Sequence, residues 1–533
     1  MPAPGRERES MKRAFFIAIM IAVPVVFLFV SAAIVLPMIE AGARPLLLQY
    51  LAGRLTERER DVIYQRIAEG AAFWDTVPDP DVAGIALRKR TILHAGTDVH
   101  VNNAGMRAAQ DYAAKPAGIF RIVCLGDSFV FGMGGPEQDR FCDQLQAFYR
   151  EHGIRVGGRA IEALAVGLPG WTLVQETTYL ASRLTDYDPD LIIVLSVAND
   201  ITDNFGVTGG GAATRGFSPE SRALGSAVFS NELNAQFGDV GERSALAWDL
   251  SPESRRRWDK AMQRLNRLVQ IQQGRGKRIL VSAMAWGPTD DPDPYPVLFQ
   301  SHYARLEVPA PFVRASFLPG RRSTLLHDNH PNRLGHGLLR DQYVHALNAL
   351  GWIAVPESAL PDLHRRTPLR LNPDPDPARL AAFTRRYLAK IDERIDFSAL
   401  RPGQTRAFLG GLFPDSGDPA RATESPPWAS LRAAFLLRRP QGRALEGVEV
   451  EIDIPPRPEL FPFSLRLLLD GAAAAAAVFA EPSESGRYRI SGAPAGPAFD
   501  DQVVEVTLET DSYFSTIDDA RMKSYRLART RAF

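Results

Sequence analysis

Cysteine is nearly absent from this sequence, with only Cys124 and Cys142 among 533 residues. A framework of several disulfides, which many small secreted domains need, is therefore excluded. The two cysteines lie on either side of the triplet Gly-Asp-Ser at 126–128, in a predicted strand and a predicted helix. We expect two buried thiols, with a single bridge as the alternative, since bridging depends on geometry.

Net charge is also absent, because 62 Lys and Arg residues balance 62 Asp and Glu residues. This balance gives no support to a nucleic-acid partner, and none is predicted. Hydrophobic residues make up 45% of the chain and charged residues 23%, which is typical of a globular protein. A chain of this length is too long for one hydrophobic core, so two or three folded units are expected.

Charged side chains are missing from residues 14–38, a stretch longer than the roughly 20 residues that span a bilayer. We predict a transmembrane helix there, with a cleaved signal peptide as the alternative. Lys12 and Arg13 directly precede the stretch, so residues 1–13 are predicted to remain as a short cytoplasmic stub. In both cases the rest of the chain is expected outside the cytoplasm.

Hydrophobic periodicity divides the rest of the chain into four segments. Residues 39–117 are predicted as an extracytoplasmic lead-in. Residues 118–355 alternate continuous apolar strands with amphipathic helices, which indicates an α/β domain with a parallel sheet covered on both faces. Residues 356–429 are predicted as a linker with one helix. Period-2 alternation over 430–533 then indicates a β-sandwich.

The triplet at 126–128 follows the apolar run RIVCL, so Ser128 is expected at the carboxyl end of a buried strand. Ligand sites of α/β sheets lie at such ends. A serine hydroxyl becomes a nucleophile when a base takes its proton. Asp328 and His330, in LLHDNHPNRLGH at 325–336, can supply an orienting carboxylate and an imidazole base.

Two further positions have the chemistry to stabilise an oxyanion. Asn199 ends the apolar stretch LIIVLSVAND at 191–200, and its side-chain amide is a hydrogen-bond donor. Gly170, in VGLPGWT at 166–172, has no Cβ to keep a ligand away from its backbone N–H.

In order and spacing, four blocks of the chain resemble those of the SGNH (GDSL) hydrolase family: GDSF at 126–129, the later glycine, AND at 198–200 and DNHPN..GH at 328–336. The resemblance covers about residues 118–350. It implies a flavodoxin-like, three-layer α/β fold. It also implies hydrolysis or transfer of an ester acyl group through an acyl-enzyme, with no metal or organic cofactor.

The same resemblance assigns roles to individual residues. It implies Ser128 as the nucleophile, His330 as the general base and Asp328 as the orienting acid. The implied oxyanion hole has three donors: the backbone N–H of Ser128, the backbone N–H of Gly170 and the side-chain amide of Asn199. Gly167 is the alternative to Gly170.

The segments VPDPDVAGIALRK at 77–89 and VNNAGMR at 101–107 resemble membrane-anchored bacterial SGNH proteins linked to exopolysaccharide modification, alginate O-acetyltransferases among them. This resemblance implies a bacterial inner-membrane protein with a single span and a periplasmic catalytic domain. The implied substrate is an acylated carbohydrate, and a transferase would also need a membrane partner that donates acyl groups. Two alternatives stay open: a non-catalytic polysaccharide-binding protein and a lipid esterase.

Several of these residues also have a structural interpretation. Ser128 is a candidate helix N-cap, and Asn199 is a candidate turn cap. Asp127 is expected to anchor its loop through backbone hydrogen bonds, and His336 is expected to brace the start of a helix. The C-terminal β-domain is expected to act as a scaffold, because aromatic residues in sandwiches usually belong to the core, and glycan binding is the alternative.

Overall fold

A computed structural model describes the following residues: 75–77, 84–86, 90–94, 97–169, 171–201, 246, 249–284, 294–306, 310–316, 330–363, 368–400, 404–413, 427–512, 514–516 and 519–533. The predicted cytoplasmic stub, 1–13, and the predicted transmembrane helix, 14–38, lie outside these residues. Of the helices in the described part, none is both long enough and apolar enough to cross a membrane.

Four short strands precede the main sheet and form two antiparallel hairpins: β1 Asp75–Val77 with β2 Gly84–Ala86, and β3 Arg90–His94 with β4 Thr97–Val101. Val99 and Val101 of β4 are buried, as is Met106 just beyond it, and all three belong to the main hydrophobic core. The end of the predicted lead-in therefore packs onto the α/β domain.

Five parallel strands and one antiparallel edge strand form the central sheet: β5 Ile119–Gly126, β6 Arg155–Val156, β7 Arg159–Gly167, β8 Leu191–Ser196, β9 Arg278–Met284 and β10 Phe312–Ala315. Their order across the sheet is β6-β7-β5-β8-β9-β10. Numbered along the chain, the parallel strands run 2-1-3-4-5, which is the flavodoxin-like order that was predicted. In such sheets ligands bind where the order reverses, here beyond the carboxyl ends of β5 and β8.

Helices cover both faces of this sheet, as predicted. The helices of the described part are α1 Ser128–Phe131, α2 Phe141–Glu151, α3 Leu173–Ser182, α4 Leu184–Tyr187, α5 Pro252–Gly274, α6 Tyr295–Tyr303, α7 Arg333–Ala349 and α8 Pro377–Leu388. Side chains of β5 alternate between the faces: Ile122 packs in one cluster with Leu145 of α2, and Val123 packs in another with Leu265 of α5. The α/β domain therefore has three layers.

Cys124 of β5 and Cys142 of α2 form a disulfide, with their Cα atoms 6.3 Å apart. Both residues are fully buried on the same face of the sheet. The expectation of two free thiols is therefore wrong, because packing of α2 on β5 brings the two Cα atoms within bridging distance.

The C-terminal strands are β11 Arg394–Asp396, β12 Phe408–Phe413, β13 Trp428–Arg438, β14 Val448–Asp453, β15 Phe463–Leu469, β16 Ala472–Phe479, β17 Arg487–Gly492, β18 Val503–Glu509, β19 Phe514–Thr516, β20 Asp519–Lys523 and β21 Tyr525–Ala532. Nine of them form one sheet with the order β16-β15-β18-β13-β21-β14-β17, in which β11 pairs with β21 and β12 with β13. β19 and β20 form a separate pair. The segment predicted as a linker, 356–429, therefore supplies α8, β11 and β12.

This sheet rolls up on itself instead of forming the predicted two-sheet sandwich. Its outer strands lie side by side, with the ring centroids of Phe479 in β16 and Tyr488 in β17 separated by 4.6 Å. A Cβ on Gly492 of β17 would stand 2.9 Å from the backbone of Ala474 in β16. Period-2 alternation specifies which side chains point inward, but it does not specify whether the strands form one sheet or two.

The rolled sheet shares a core with the α/β domain. Leu265 of α5 and Val506 of β18 belong to one continuous cluster of buried hydrophobic residues. Across the boundary, the buried Ser251 hydroxyl donates to a carboxylate oxygen of Glu505 in β18 at 2.5 Å. This shared core fits the expectation that the C-terminal domain is a scaffold.

Candidate active site

Gly126 ends β5 where the chain must turn beside β8. A Cβ at this position would stand 2.9 Å from the carbonyl oxygen of Leu195 and 2.5 Å from the side chain of Val130. Gly167, at the end of β7, lies so close to the Gly126 carbonyl that a Cβ would collide with it. Both glycines therefore allow a close approach of backbones, which gives Gly167 a packing role.

Asp127 caps the short helix that follows. Its Oδ1 accepts the backbone N–H of Phe129 at 2.9 Å, and its side chain is fully buried. Asp127 therefore anchors the turn through backbone hydrogen bonding, as predicted. The alternative of Ser128 as the N-cap is wrong, because Ser128 is the first residue of α1.

Ser128 and His330 meet although 202 residues separate them in the chain. Oγ of Ser128 lies 2.9 Å from Nε2 of His330 and 3.1 Å from Oδ2 of Asp127. The serine is 4% exposed and the histidine 7% exposed. The imidazole ring packs on Phe129, with 5.4 Å between the ring centroids. His330 Nε2 is therefore within reach of the serine proton.

Of the other predicted site residues, the structure describes the turn that carries Asn199 but not Gly170 or Asp328. Asn199 lies in the 3₁₀ turn Ala198–Ile201, which directly follows β8, the neighbour of β5. Gly170 and Asp328 lie outside the described residues. The oxyanion hole and the orienting acid therefore stay predictions.

His336 lies in the first turn of α7, buried against the ring of Phe141 with 6.3 Å between centroids. Burial lowers the pKa of His336 to about 3, with further contributions from Arg140, His330 and Arg107. His336 is therefore neutral over the usual assay range, which fits the predicted bracing role.

Near Ser128 lie three buried carboxyl groups: Asp127, Glu176 of α3 and Asp200 of the turn after β8. Burial raises the pKa of Glu176 well above its usual value, and the negative charges of Asp200 and Asp127 raise it further. Sequence reasoning missed Glu176. The available signal was its spacing, because Leu173, Glu176 and Leu180 fall on one buried face of the helix.

Comparisons with known proteins agree with the resemblance seen in the sequence. No family model matches the chain, and no curated protein matches it. Solved structures do match, and they are consistently SGNH or GDSL esterases and acylhydrolases. The chain is similar to SGNH esterases.

Three of these structures show the extent of the similarity. Esterase EstA from Pseudoalteromonas sp., inhibited by monoethylphosphonate, is 17% identical, with 43% of this chain and 98% of that chain covered and a TM-score of 0.27. TesA is 15% identical, with 43% and 99% covered and a TM-score of 0.27. A two-domain esterase (CEX) active on acetylated mannans is 12% identical, with 78% and 90% covered and a TM-score of 0.27. At this distance, the function of the chain rests on the geometry of its own residues.

Proposed function

We propose that the chain is a serine-dependent esterase or acyltransferase that acts on an acyl group, in the simplest case acetyl, of a carbohydrate ester outside the cytoplasm. The observation that carries this proposal is the 2.9 Å contact between Ser128 Oγ and His330 Nε2. This contact lies where the strand order of a flavodoxin-like sheet reverses, which is the usual ligand site of such sheets.

In the first step, Ser128 Oγ bonds to the ester carbonyl carbon while His330 Nε2 takes the hydroxyl proton. Asp328 orients the imidazole and stabilises its charged form. The carbonyl oxygen becomes an oxyanion, which the backbone N–H groups of Ser128 and Gly170 and the side chain of Asn199 stabilise.

In the second step, the tetrahedral intermediate collapses, and the bond between the carbonyl carbon and the alcohol oxygen breaks. His330 returns its proton to this leaving alkoxide, and the acyl group stays on Ser128. Water or a sugar hydroxyl then attacks the acyl-enzyme with His330 as the base. Hydrolysis and transfer differ only in that acceptor, and a transferase needs a membrane partner that supplies acyl groups.

Two features support the proposed location and substrate. The buried disulfide between Cys124 and Cys142 is typical of oxidising compartments outside the cytoplasm. The lead-in segments at 77–89 and 101–107 resemble bacterial proteins that modify exopolysaccharides. The predicted span at 14–38 would hold the active site close to the membrane across which such polymers are exported.

The test is to label the full-length chain, purified in detergent, with a fluorophosphonate serine probe, and to measure turnover of p-nitrophenyl acetate in parallel. We expect Ser128→Ala to abolish both labelling and turnover, because Ser128 Oγ is the hydroxyl oxygen in contact with His330 Nε2. The matched control is Ser485→Ala, which removes an exposed serine hydroxyl from the turn between β16 and β17 and should behave as wild type.

Labelling that persists in Ser128→Ala would contradict the assignment of the nucleophile. A wild-type protein with neither labelling nor turnover would favour the non-catalytic binding protein. Substrate class is tested by acetate release from acetylated polysaccharides compared with cleavage of long-chain p-nitrophenyl esters. Preference for the long-chain esters would favour the lipid esterase.

A further inference from the structure

Asp200 holds together the turn that carries Asn199. Its Oδ2 accepts the backbone N–H of Val197 at 2.9 Å and the hydroxyl of Ser196 at 2.6 Å. Burial and the charge of Asp127 raise the pKa of Asp200 well above its usual value, and the two donors on its Oδ2 act in the opposite direction because they favour its ionised form. The shape of this turn therefore depends on where the Asp200 carboxylate is held.

Glu176 faces Asp200 from helix α3. Both Glu176 oxygens and Oδ1 of Asp200 are buried, and no N–H or O–H donor of the described structure reaches them. The two carboxyl groups lie close enough to form a hydrogen bond once one of them carries a proton. A hydrogen bond between two carboxyl groups requires a proton on one of them, because an ionised carboxylate only accepts. Glu176 holds this proton, since Asp200 already accepts the two donors from its own turn.

The surroundings of the pair also favour a protonated acid. The charged groups that act on Glu176 are Asp200, from the turn after β8, and Asp127, from the turn after β5. The hydroxyl of Tyr295, from α6, lies 2.6 Å from the hydroxyl of Ser196. In the described part of the chain, no Lys or Arg offsets these two negative charges at Glu176.

We infer that Glu176 and Asp200 share one proton and that their hydrogen bond holds the oxyanion-hole turn against helix α3. This inference rests on the proposed function, which assigns Asn199 as an oxyanion donor. The pair joins the two segments that carry predicted donors, because Gly170 is three residues before Leu173, where α3 begins, and Asn199 directly precedes Asp200. Glu176 and Asp200 are positioning residues that act through the donors.

Loss of the shared proton has a defined effect on catalysis. Deprotonation of Glu176 would leave two carboxylates in contact inside the protein, and their repulsion would displace the turn. Since an oxyanion donor acts mainly in the transition state, kcat should fall at alkaline pH while KM stays nearly constant.

Stability changes in the same direction. Burial raises the folded-state pKa of Glu176 above its unfolded value of about 4.3. The stability contributed by the bound proton is therefore fully present below the unfolded pKa, and it is lost as pH rises through the folded pKa.

The experiment compares full-length wild type with Glu176→Gln and Glu176→Ala, and uses Glu151→Gln at the exposed end of α2 as the matched control. Turnover of p-nitrophenyl acetate is measured from about pH 6 to about pH 10, a range that brackets raised carboxyl pKa values, with Ser128→Ala as the background. The glutamine amide can donate to Asp200 and cannot lose a proton. We expect Glu176→Gln to move the alkaline loss of kcat upward by about one pH unit or more.

Glu176→Ala removes the donor, so we expect kcat to fall about tenfold with KM within about twofold of wild type. Glu151→Gln should follow the wild-type profile. An alkaline limb of Glu176→Gln that coincides with wild type would overturn the inference, as would a loss in Glu176→Ala that appears only in KM.

A second readout separates this inference from the proposed function. If wild type shows no turnover that depends on Ser128, the proposed function fails. The unfolding midpoint is then followed against pH in the Ser128→Ala background, with and without Glu176→Gln. A shared proton makes the midpoint fall more steeply with rising pH when Glu176 is present. Equal slopes would overturn the shared proton.

Discussion

The carboxyl edge of the parallel sheet and the outer face of the C-terminal sheet place their charged side chains in opposite ways. At the carboxyl edge of the parallel sheet, Asp127, Glu176 and Asp200 are buried beside one another. On the outer face of the rolled sheet, charged side chains pair across strands in contact with solvent. Arg489 lies 2.5 Å from Glu451, and three further pairs are Arg487 with Asp453, Arg531 with Glu449 and Arg529 with Asp396.

Because of this difference, we expect the buried charges to affect activity and the exposed charges to affect mainly solubility. Burial of a carboxyl group costs several kcal/mol unless hydrogen bonds or an opposite charge offset it. The buried cluster of acids beside Ser128 therefore supports the role in the reaction that we propose for this edge. Exposed ion pairs contribute about 0–1 kcal/mol each, so their main effects are on solubility and on the protection of sheet edges. Conservative substitutions at the carboxyl edge should alter activity, and even substitutions that remove a charge on the outer face should leave it unchanged.

The largest effect is expected at the turn after β8. We expect Asn199→Ala to lower kcat by about 10²–10³, the usual loss for one oxyanion donor, while KM and the unfolding midpoint change little. Steady-state kinetics with p-nitrophenyl acetate and a thermal melt provide the measurement. Unchanged kcat would remove Asn199 from the oxyanion hole. It would also weaken the expectation that changes at the carboxyl edge affect activity more than changes on the outer face.

The sequence predicts much of the α/β domain because its signals are local. The apolar run before Gly126 predicts a buried strand, and the glycine predicts a sharp turn into the next helix. The contact between Ser128 and His330 follows from the family resemblance, since no local pattern joins residues so far apart. The sequence does not predict the role of Glu176. Hydrophobic periodicity places Glu176 on a buried face of its helix, but it does not show that Asp200 lies against that face.

The C-terminal domain shows the complementary limit. Alternation correctly predicts strands with one inward face, as in Val448, Val450 and Ile452. It does not predict that the sheet closes on itself, because closure depends on contacts between its two outer strands. The pattern of strand β16 alone does not explain the alanine run at 472–477. The contact with Gly492 of β17 explains it, because small side chains let the two outer strands approach each other.

A glycine at this closure gives the next prediction. A Cβ at Gly492 would stand 2.9 Å from the backbone of Ala474, which cannot move aside cheaply. We expect Gly492→Ala to lower the free energy of unfolding by about 1–3 kcal/mol, a typical cost of overpacking. Chemical denaturation measures the change, and the specific activity of the folded protein should stay the same.

The matched control is Gly496→Ala, where a Cβ would meet no atom within 4 Å. Its unfolding free energy should stay close to wild type. Equal stability of the two variants would argue against closure between β16 and β17, and would reopen the two-sheet sandwich.

The smallest effect is expected on the outer face itself. Arg489 is 59% exposed and pairs with both Glu451 and Glu449. We expect Arg489→Ala to change the free energy of unfolding by less than about 1 kcal/mol, and salt to reduce this change further, because solvent screens exposed pairs.

Arg439, which is mostly buried and 2.5 Å from Asp470, is the contrasting site in the same sheet. Since Arg439→Ala would leave a buried carboxylate unpaired, it should cost about 3 kcal/mol or more. Similar losses of unfolding free energy in Arg489→Ala and Arg439→Ala would show that burial does not decide how much a charged pair contributes. The contrast between the carboxyl edge and the outer face would then lose its physical basis.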